Sequence, residues 1–298
     1  MMSLTQPDTR DIVLSEREWR QRVAEHAARV EPWVTPRLAR REQGERHPVD
    51  DFLFDYYSWR PAQLARWHPG AGVILDGDVR DFEGVRGYAV DGAGARVDHA
   101  TMTVDVMRGA LGLLEATAAR HAAYHCFGRH EWAMGYRQAP EEMRHSSWPL
   151  RVDQQAVEAV VESSPLRCTH VDAFRFYTDP ARPLNTVQPT RATQIDLEQP
   201  GCLHATMDLY KWCFRSYPAV GADLTADCFD LARRVRAVDM RASPYDFTSL
   251  GYAPIPIETA EGRAEYVEYQ RDFSQQGALL RDRLIEQLRR SLNLVATP

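Results

Sequence analysis

The sequence predicts a mainly α-helical fold, a single helical domain that carries a small β-hairpin or irregular insertion around residues 70–97. Long stretches near both ends of the chain place apolar residues three or four positions apart, which is the spacing of one helix face. Seven of the 17 glycines lie between Gly70 and Gly94, among short β-branched runs typical of hairpins. An insertion of this size cannot bury a core of its own, so we expect one domain over 1–298.

The first part of this domain, residues 12–69, is expected to consist of helices. Ser15 and Glu18 have the spacing of a capping box, and they predict that a helix begins at Ser15 and continues to Val30. A short aromatic helix is expected after His47, and another begins at Pro61, where proline is favoured in the first turn.

The helical body is predicted over residues 98–298. Apolar residues at helical spacing indicate helices at 101–119, 222–240 and 260–294. Between the first two lies a poorly periodic stretch, 121–217, that contains most of the histidines and aromatic residues. Helices at both ends with an irregular middle favour a helical fold with a minor β element.

Composition and charge exclude several classes of protein. The chain has 298 residues, 44% of them hydrophobic, which is enough apolar surface to form a core and argues against a disordered chain. No apolar run approaches the roughly 18–20 residues of a membrane span, and the polar start of the chain does not resemble a signal peptide. A net charge of −6 argues against nucleic acid as the partner. We therefore expect a soluble, cytoplasmic protein, acting alone or as a homodimer, with its five cysteines reduced.

Three pairs of a histidine and a carboxylate lie in the irregular middle of the chain. They are His130 with Glu131, His170 with Asp172, and His204 with Asp208. On a helix, positions i and i+4 share a face, so His204 and Asp208 are placed to hold one ion. In an extended segment, positions i and i+2 share a face, which has the same consequence for His170 and Asp172.

These pairs predict a metal site. Single pairs of this kind are usually structural, but all three are surrounded by apolar and aromatic residues, and burying so many ionisable groups is costly unless they are compensated. Imidazole with carboxylate suits iron, manganese or zinc. The residues predicted as metal ligands are Glu131, His170, Asp172, His204 and Asp208. His130 is predicted as a ligand or a proton shuttle, and thus as a catalytic residue.

Basic residues near these pairs are candidates for binding a substrate. Lys211 is the single lysine among 36 basic residues, and it follows His204 and Asp208 at positions i+7 and i+3, on the same helix face. It is predicted to anchor an anionic substrate or to act as a catalytic amine. Arg175 and Arg191 lie between the pairs and can hold a carboxylate or phosphate with two hydrogen bonds.

Several stretches resemble a family of actinobacterial proteins of about this length that is often named 3-methyladenine DNA glycosylase. The stretches are His47-Pro-Val-Asp-Asp-Phe-Leu-Phe, Arg66-Trp-His-Pro-Gly, His130-Glu-Trp-Ala-Met, Cys202-Leu-His-Ala-Thr-Met-Asp-Leu-Tyr-Lys-Trp and Asp239-Met-Arg-Ala-Ser-Pro-Tyr. The resemblance extends over nearly the whole chain. It implies base excision from DNA without a metal, with a carboxylate such as Glu131 or Asp172 orienting the attacking water.

The first functional hypothesis is a metal-dependent enzyme, a non-haem iron oxidoreductase that acts on a small polar or amino-acid-like substrate. One or two iron ions are expected, with zinc or manganese as alternatives. The sequence contains no glycine-rich nucleotide motif, no nucleophile-elbow motif and no His-Glu-x-x-His, which removes the usual support for other enzyme classes. The glycosylase implied by the resemblance is the second hypothesis, and a non-catalytic protein that binds a small molecule is the third.

Overall fold

A computed structural model describes residues 11–143 and 145–296. Their α-helices are α1 (Glu16–Glu42), α2 (Phe52–Tyr56), α3 (Pro61–Ala65), α4 (Val104–Ala118), α5 (Arg129–Ala133), α6 (Gln154–Glu162), α7 (Val171–Phe174), α8 (Gln194–Leu197), α9 (Leu203–Arg215), α10 (Ala222–Arg241) and α11 (Ala260–Ala296). Their strands are β1 (Ile12–Leu14), β2 (Val73–Leu75), β3 (Tyr88–Asp91) and β4 (Gly94–Val97). The predicted mainly α-helical fold with a small β element is confirmed.

The β element is a four-stranded sheet with the order β1-β2-β4-β3. The insertion supplies β2, β3 and β4, which pair antiparallel, whereas β1 comes from the start of the chain and runs parallel to β2. Gly94 adopts a φ of 116°, and a Cβ at this position would lie 2.1 Å from the carbonyl oxygen of Leu75. Only glycine fits there, because the neighbouring strand approaches so closely. The sequence pattern missed β1, since three residues carry too little periodicity to be recognised.

Helix α1 begins where the capping box predicts, but it continues twelve residues beyond Val30, to Glu42. The helix passes through Pro32 and Pro36, each of which removes a backbone hydrogen-bond donor and would ordinarily favour an end or a kink. Tertiary packing outweighs that cost, because Val34 is buried and the ring of Trp33 lies 5.2 Å from that of Phe229 on α10.

Helix α9 lies at the centre of the helical body, where it packs against α4, α10 and α11. A Cβ at Gly277 of α11 would lie 3.1 Å from the side chain of Thr206, so the glycine allows these two helices to approach closely. Most residues of α9 are buried, including polar ones. The ionisable side chains of α9 are therefore surrounded by other helices and depend on partners from them. None of the helices in the described ranges is long and apolar enough to cross a membrane.

Candidate metal centre

Helix α9 places His204 and Asp208 one turn apart, as the sequence predicts, but each joins a different group of possible ligands. We call His130, His204 and Asp239 the first group, and His170, Glu198 and Asp208 the second group. Within each group, one nitrogen or oxygen atom from each residue lies within 4.8 Å of the others. The six side chains come from α5, α9, α10 and the ends of α7 and α8. The site is therefore assembled from distant parts of the chain.

The first group is built on a contact between α5 and α10. The Nε2 atom of His130 lies 3.0 Å from Oδ2 of Asp239, and both side chains are buried. The hydroxyl of Tyr266 on α11 donates a hydrogen bond to Oδ1 of Asp239, at 3.1 Å. Gly128 brings the chain into α5 at a φ of 70°, and a Cβ there would lie 3.2 Å from the Tyr266 ring. Local backbone conformation and the packing of α11 thus fix the His130–Asp239 pair.

Charge separates the two histidines of the first group. Burial lowers the pKa of His130, but the adjacent Asp239 carboxylate raises it more, so this pKa lies well above its ordinary value. Burial and the nearby positive His130 instead hold the pKa of His204 well below its ordinary value. At neutral pH the His204 imidazole is therefore uncharged, which is the form that binds metals. Its ring nitrogens form no hydrogen bond with the described residues.

A thiol adjoins the first group. The sulfur of Cys126 lies 3.5 Å from Nδ1 of His130, the nitrogen on the far side of the ring from Asp239. Burial raises the pKa of this thiol, but the hydrogen bond to His130 together with the charges of His130 and Arg129 brings the pKa below its ordinary value. Cys126 is therefore one of the groups that raise the pKa of His130, after Asp239.

The second group is already neutralised by other side chains. Nε2 of His170 lies 3.2 Å from Oδ2 of Asp208 and 3.6 Å from Oε2 of Glu198. The hydroxyl of Tyr57 donates to Oδ1 of Asp208 at 2.8 Å, and the ammonium group of Lys211 bonds Oδ2 of the same carboxylate. Burial raises the pKa of Asp208, but the charge of Lys211 and the bond from His170 lower it well below its usual range.

His204 lies between the two groups. Its ring centroid is 4.6 Å from that of His130 and 5.3 Å from that of His170, on which it stacks. Two cavities, of about 30 and about 20 Å³, meet the His204 side chain, one on the Cys126 side and one on the Asp208 side. A cavity of roughly 10–15 Å³ holds one water, so each of these admits one or two small molecules.

Two of the predicted metal ligands are paired with arginines and belong to neither group. Oε1 of Glu131 accepts a hydrogen bond from Nη1 of Arg236 at 2.9 Å. Asp172 bonds the guanidinium of Arg191. His170 and Asp172 would share a face in an extended segment, but Val171–Phe174 forms the short helix α7, where positions i and i+2 do not.

The predicted substrate anchors hold the protein's own carboxylates. Lys211 bonds Asp208 and lies 3.6 Å from Oδ2 of Asp172. Arg191 bonds Asp172, and Nε of Arg175 lies 3.5 Å from the same carboxylate. All three cations thus stabilise one acidic network, and their role as anchors for a substrate stays a prediction.

Sequence reasoning missed two members of the groups, Glu198 and Asp239. Glu198 directly follows the four-residue helix α8, which is too short to show periodicity. Asp239 lies in the predicted helix 222–240 between the buried residues Val238 and Met240. A carboxylate between apolar residues near a helix end was the available signal for Asp239, but nothing local connects it to His130, 109 positions away.

Comparison with known proteins yields no relative. No protein-family model matches the chain, and neither a curated protein nor a solved structure matches it. The resemblance behind the glycosylase hypothesis therefore stays a prediction, and the geometry of the two groups is the basis for a functional proposal.

Proposed function

We propose that this protein is a metal-dependent enzyme in which His130, His204 and Asp239 hold one iron ion, and that it oxidises a small polar substrate with O₂. Two imidazoles and one carboxylate are the ligand set of non-haem iron oxygenases. An iron ion held on one face by three ligands has further coordination positions for substrate and oxidant. Zinc is the main alternative, because it also binds histidine and carboxylate.

The observation that carries this proposal is the state of His204. It is a neutral imidazole, partly exposed, without a hydrogen bond to the described residues, and close to a buried histidine–carboxylate pair. The ring nitrogens of His204 are accessible from the adjoining cavities, and a neutral imidazole is the form that coordinates a metal. A metal ion satisfies His204, and it also replaces the proton that His130 carries beside Asp239.

The cavity on the Asp208 side indicates what reaches this centre. Arg236 lines it, with a side chain that is almost completely buried. Nη1 of Arg236 bonds Glu131, whereas its Nε and Nη2 atoms have no hydrogen-bond partner in the described part of the chain. A guanidinium with free N–H groups is suited to a carboxylate, which supports an amino-acid-like substrate.

The size of the cavity adds a constraint. At about 20 Å³ it admits a molecule of the size of water or O₂ in this conformation. The partly exposed Tyr56 and Phe176 line the same cavity. We place substrate entry on their side, with a rearrangement of these rings when the organic substrate binds.

The test is O₂ consumption by iron-loaded protein. Protein purified without a His-tag is reconstituted anaerobically with ferrous iron and then mixed with oxygenated buffer and a panel of amino acids and small hydroxy acids. We expect substrate-dependent O₂ uptake in the wild type and in His99→Ala, whose histidine is exposed and distant in sequence, but none in His204→Ala. Equal uptake by His204→Ala, or no uptake with any substrate, would contradict the proposal.

The same preparation tests the other two hypotheses. Base release from alkylated duplex DNA by metal-free protein, at several salt concentrations, would favour the glycosylase. Retention of every measured ligand affinity after His170→Ala and His204→Ala would favour a non-catalytic binding protein. Either result would count against the iron enzyme.

A further inference from the structure

A larger cavity lies away from both groups, at the C-terminal end of α9. Its volume is about 390 Å³, which falls in the range of roughly 300–1,000 Å³ found for small-molecule sites. It shares no lining residue with the two cavities beside His204. The residues that line it come from the segment around α3, from the β insertion, from the start of α4 and from the end of α9. This cavity has no place in the proposed iron chemistry.

Three arginines line the cavity: Arg66, Arg86 and Arg215. No carboxylate is among the lining residues, and none of the three guanidinium groups forms an ion pair with the described residues. Burial raises the pKa of Tyr217, and the positive charges of Arg66 and Arg86 both oppose that rise, so all three residues belong to one part of the wall. Like charges gathered without a counter-charge attract an anion, and guanidinium groups match the geometry of phosphate.

Aromatic rings form another part of the wall. The ring of Trp59 lies 5.4 Å from that of Tyr217 and 5.6 Å from that of Phe214. The wall thus offers apolar ring surface beside the three arginines.

We propose that this cavity binds a phosphorylated ligand that carries a planar aromatic ring, of the class of the nucleoside monophosphates. The arginines hold the phosphate, and the ring packs against Trp59 and Tyr217. Neither half of this ligand alone is complementary to all the lining residues. Inorganic phosphate leaves the aromatic surface uncovered, and a nucleoside leaves the arginines without a counter-charge. The site goes beyond the proposed iron enzyme and does not depend on it.

Calorimetric titration of the full-length protein at low salt tests this proposal, with AMP as the probe and with adenosine and inorganic phosphate as its two halves. We expect AMP to bind at least about 10-fold more tightly than either half, since a charge-assisted hydrogen bond is worth about that factor. Arg86→Gln and Arg215→Gln should each weaken AMP about 10-fold for the same reason. Trp59→Leu should weaken AMP but leave the affinity for phosphate unchanged. Arg22→Gln, at an exposed arginine of α1, is the control and should change nothing.

Three outcomes would overturn the proposal: no AMP binding at millimolar concentration, equal affinity for AMP and adenosine, or unchanged affinity in both arginine variants. The arginines are exposed, so these variants are expected to fold, and a thermal melt of each checks this. Failure here is distinguishable from failure of the iron enzyme. His204→Ala should retain AMP binding, whereas Arg86→Gln and Arg215→Gln should retain the metal content of the wild type.

Discussion

The first and second groups contain the same kinds of residue, yet their carboxylates are neutralised in different ways. In the first group, Asp239 is bonded by a protonated His130, whose proton can leave when a metal binds, while the fixed charge of Arg236 is more distant, at 3.9 Å, and bonds Glu131. In the second group, Asp208 faces Lys211, whose ammonium group is attached to the same helix and cannot leave. Under the proposed function, this difference favours the first group as the metal site, because its nearest counter-charge is an exchangeable proton.

A second contrast concerns the ligand atoms that remain open. His204 in the first group is partly exposed, and its ring nitrogens form no hydrogen bond with the described residues. The ring nitrogen without a partner in the second group, Nδ1 of His170, is instead buried on the side of the ring opposite the nitrogen that bonds Asp208. In the second group, the hydroxyl of Tyr57 and the amide of Gln194 already donate to Asp208 and Glu198. Burial lowers the pKa of Arg281, and the nearby Glu198 carboxylate opposes that shift. We therefore assign the metal to the first group and a structural role to the second, where the network holds α7, α8 and α9 together.

The largest expected effect comes from removing the fixed counter-charge of the second group. Lys211→Met leaves Asp208 and Asp172 without their shared cation, so the free energy of unfolding of metal-free protein should fall by about 3 kcal/mol. The same change makes the second group resemble the first, and a second metal equivalent should bind. Denaturant unfolding and metal titration measure the two effects.

Lys211→Arg is the matched control for that experiment. It keeps a positive charge beside Asp208, so the second group should stay closed to metal. Two results would show that the counter-charge does not distinguish the two groups. One is a second metal equivalent bound by Lys211→Arg, and the other is no second metal equivalent bound by a folded Lys211→Met.

The next effect is a pH dependence that belongs to the first group. The pKa of His130 is raised, so below that pKa a metal must displace a proton from it. Apparent metal affinity should rise about tenfold per pH unit as pH increases, and level off above the pKa of His130. His204 adds no such dependence near neutrality, because its pKa is lowered. Anaerobic competition with a chelator at several pH values measures this slope, and a flat profile would contradict the assignment.

The smallest effect is expected from one hydrogen bond of the second group. Tyr57→Phe removes the 2.8 Å bond to Asp208 and should lower the free energy of unfolding by about 1 kcal/mol. Metal content should not change, since the first group is untouched. Tyr56→Phe, at the neighbouring and partly exposed tyrosine, is the control for the loss of a hydroxyl. A loss of metal in Tyr57→Phe would mean that the second group takes part in binding it.

The helices followed from local patterns, because an apolar face repeats every three or four residues and a capping box marks a start. The predicted helices 222–240 and 260–294 end within two residues of α10 and α11. Among the predicted helices, α1 extends well beyond its predicted end, because packing of Trp33 and Val34 continues the helix past two prolines. The helices within 121–217, α5 to α9, were not predicted from periodicity. Propensity alone could not anticipate a tertiary contact.

The site was harder to predict, because its pairs form between distant segments. The spacing correctly predicted that His204 and Asp208 lie on one helix. It could not predict which side chains from other elements each of them contacts. Glu131 and Asp172 are as close to histidines in sequence as any ligand, yet Arg236 and Arg191 neutralise them. The carboxylates that lie beside the histidines are instead Asp239 of α10 and Glu198 at the end of α8. Which carboxylate faces a histidine is a property of tertiary packing, which short-range spacing does not contain.

The most direct test of the account is metal content by mass spectrometry on protein purified without a His-tag. Wild type is compared with His204→Ala in the first group, His170→Ala in the second, and His99→Ala at an exposed position. The account predicts about one equivalent of iron in wild type, His170→Ala and His99→Ala, and none in His204→Ala. Iron retained by His204→Ala, or no metal in wild type after anaerobic reconstitution, would contradict it.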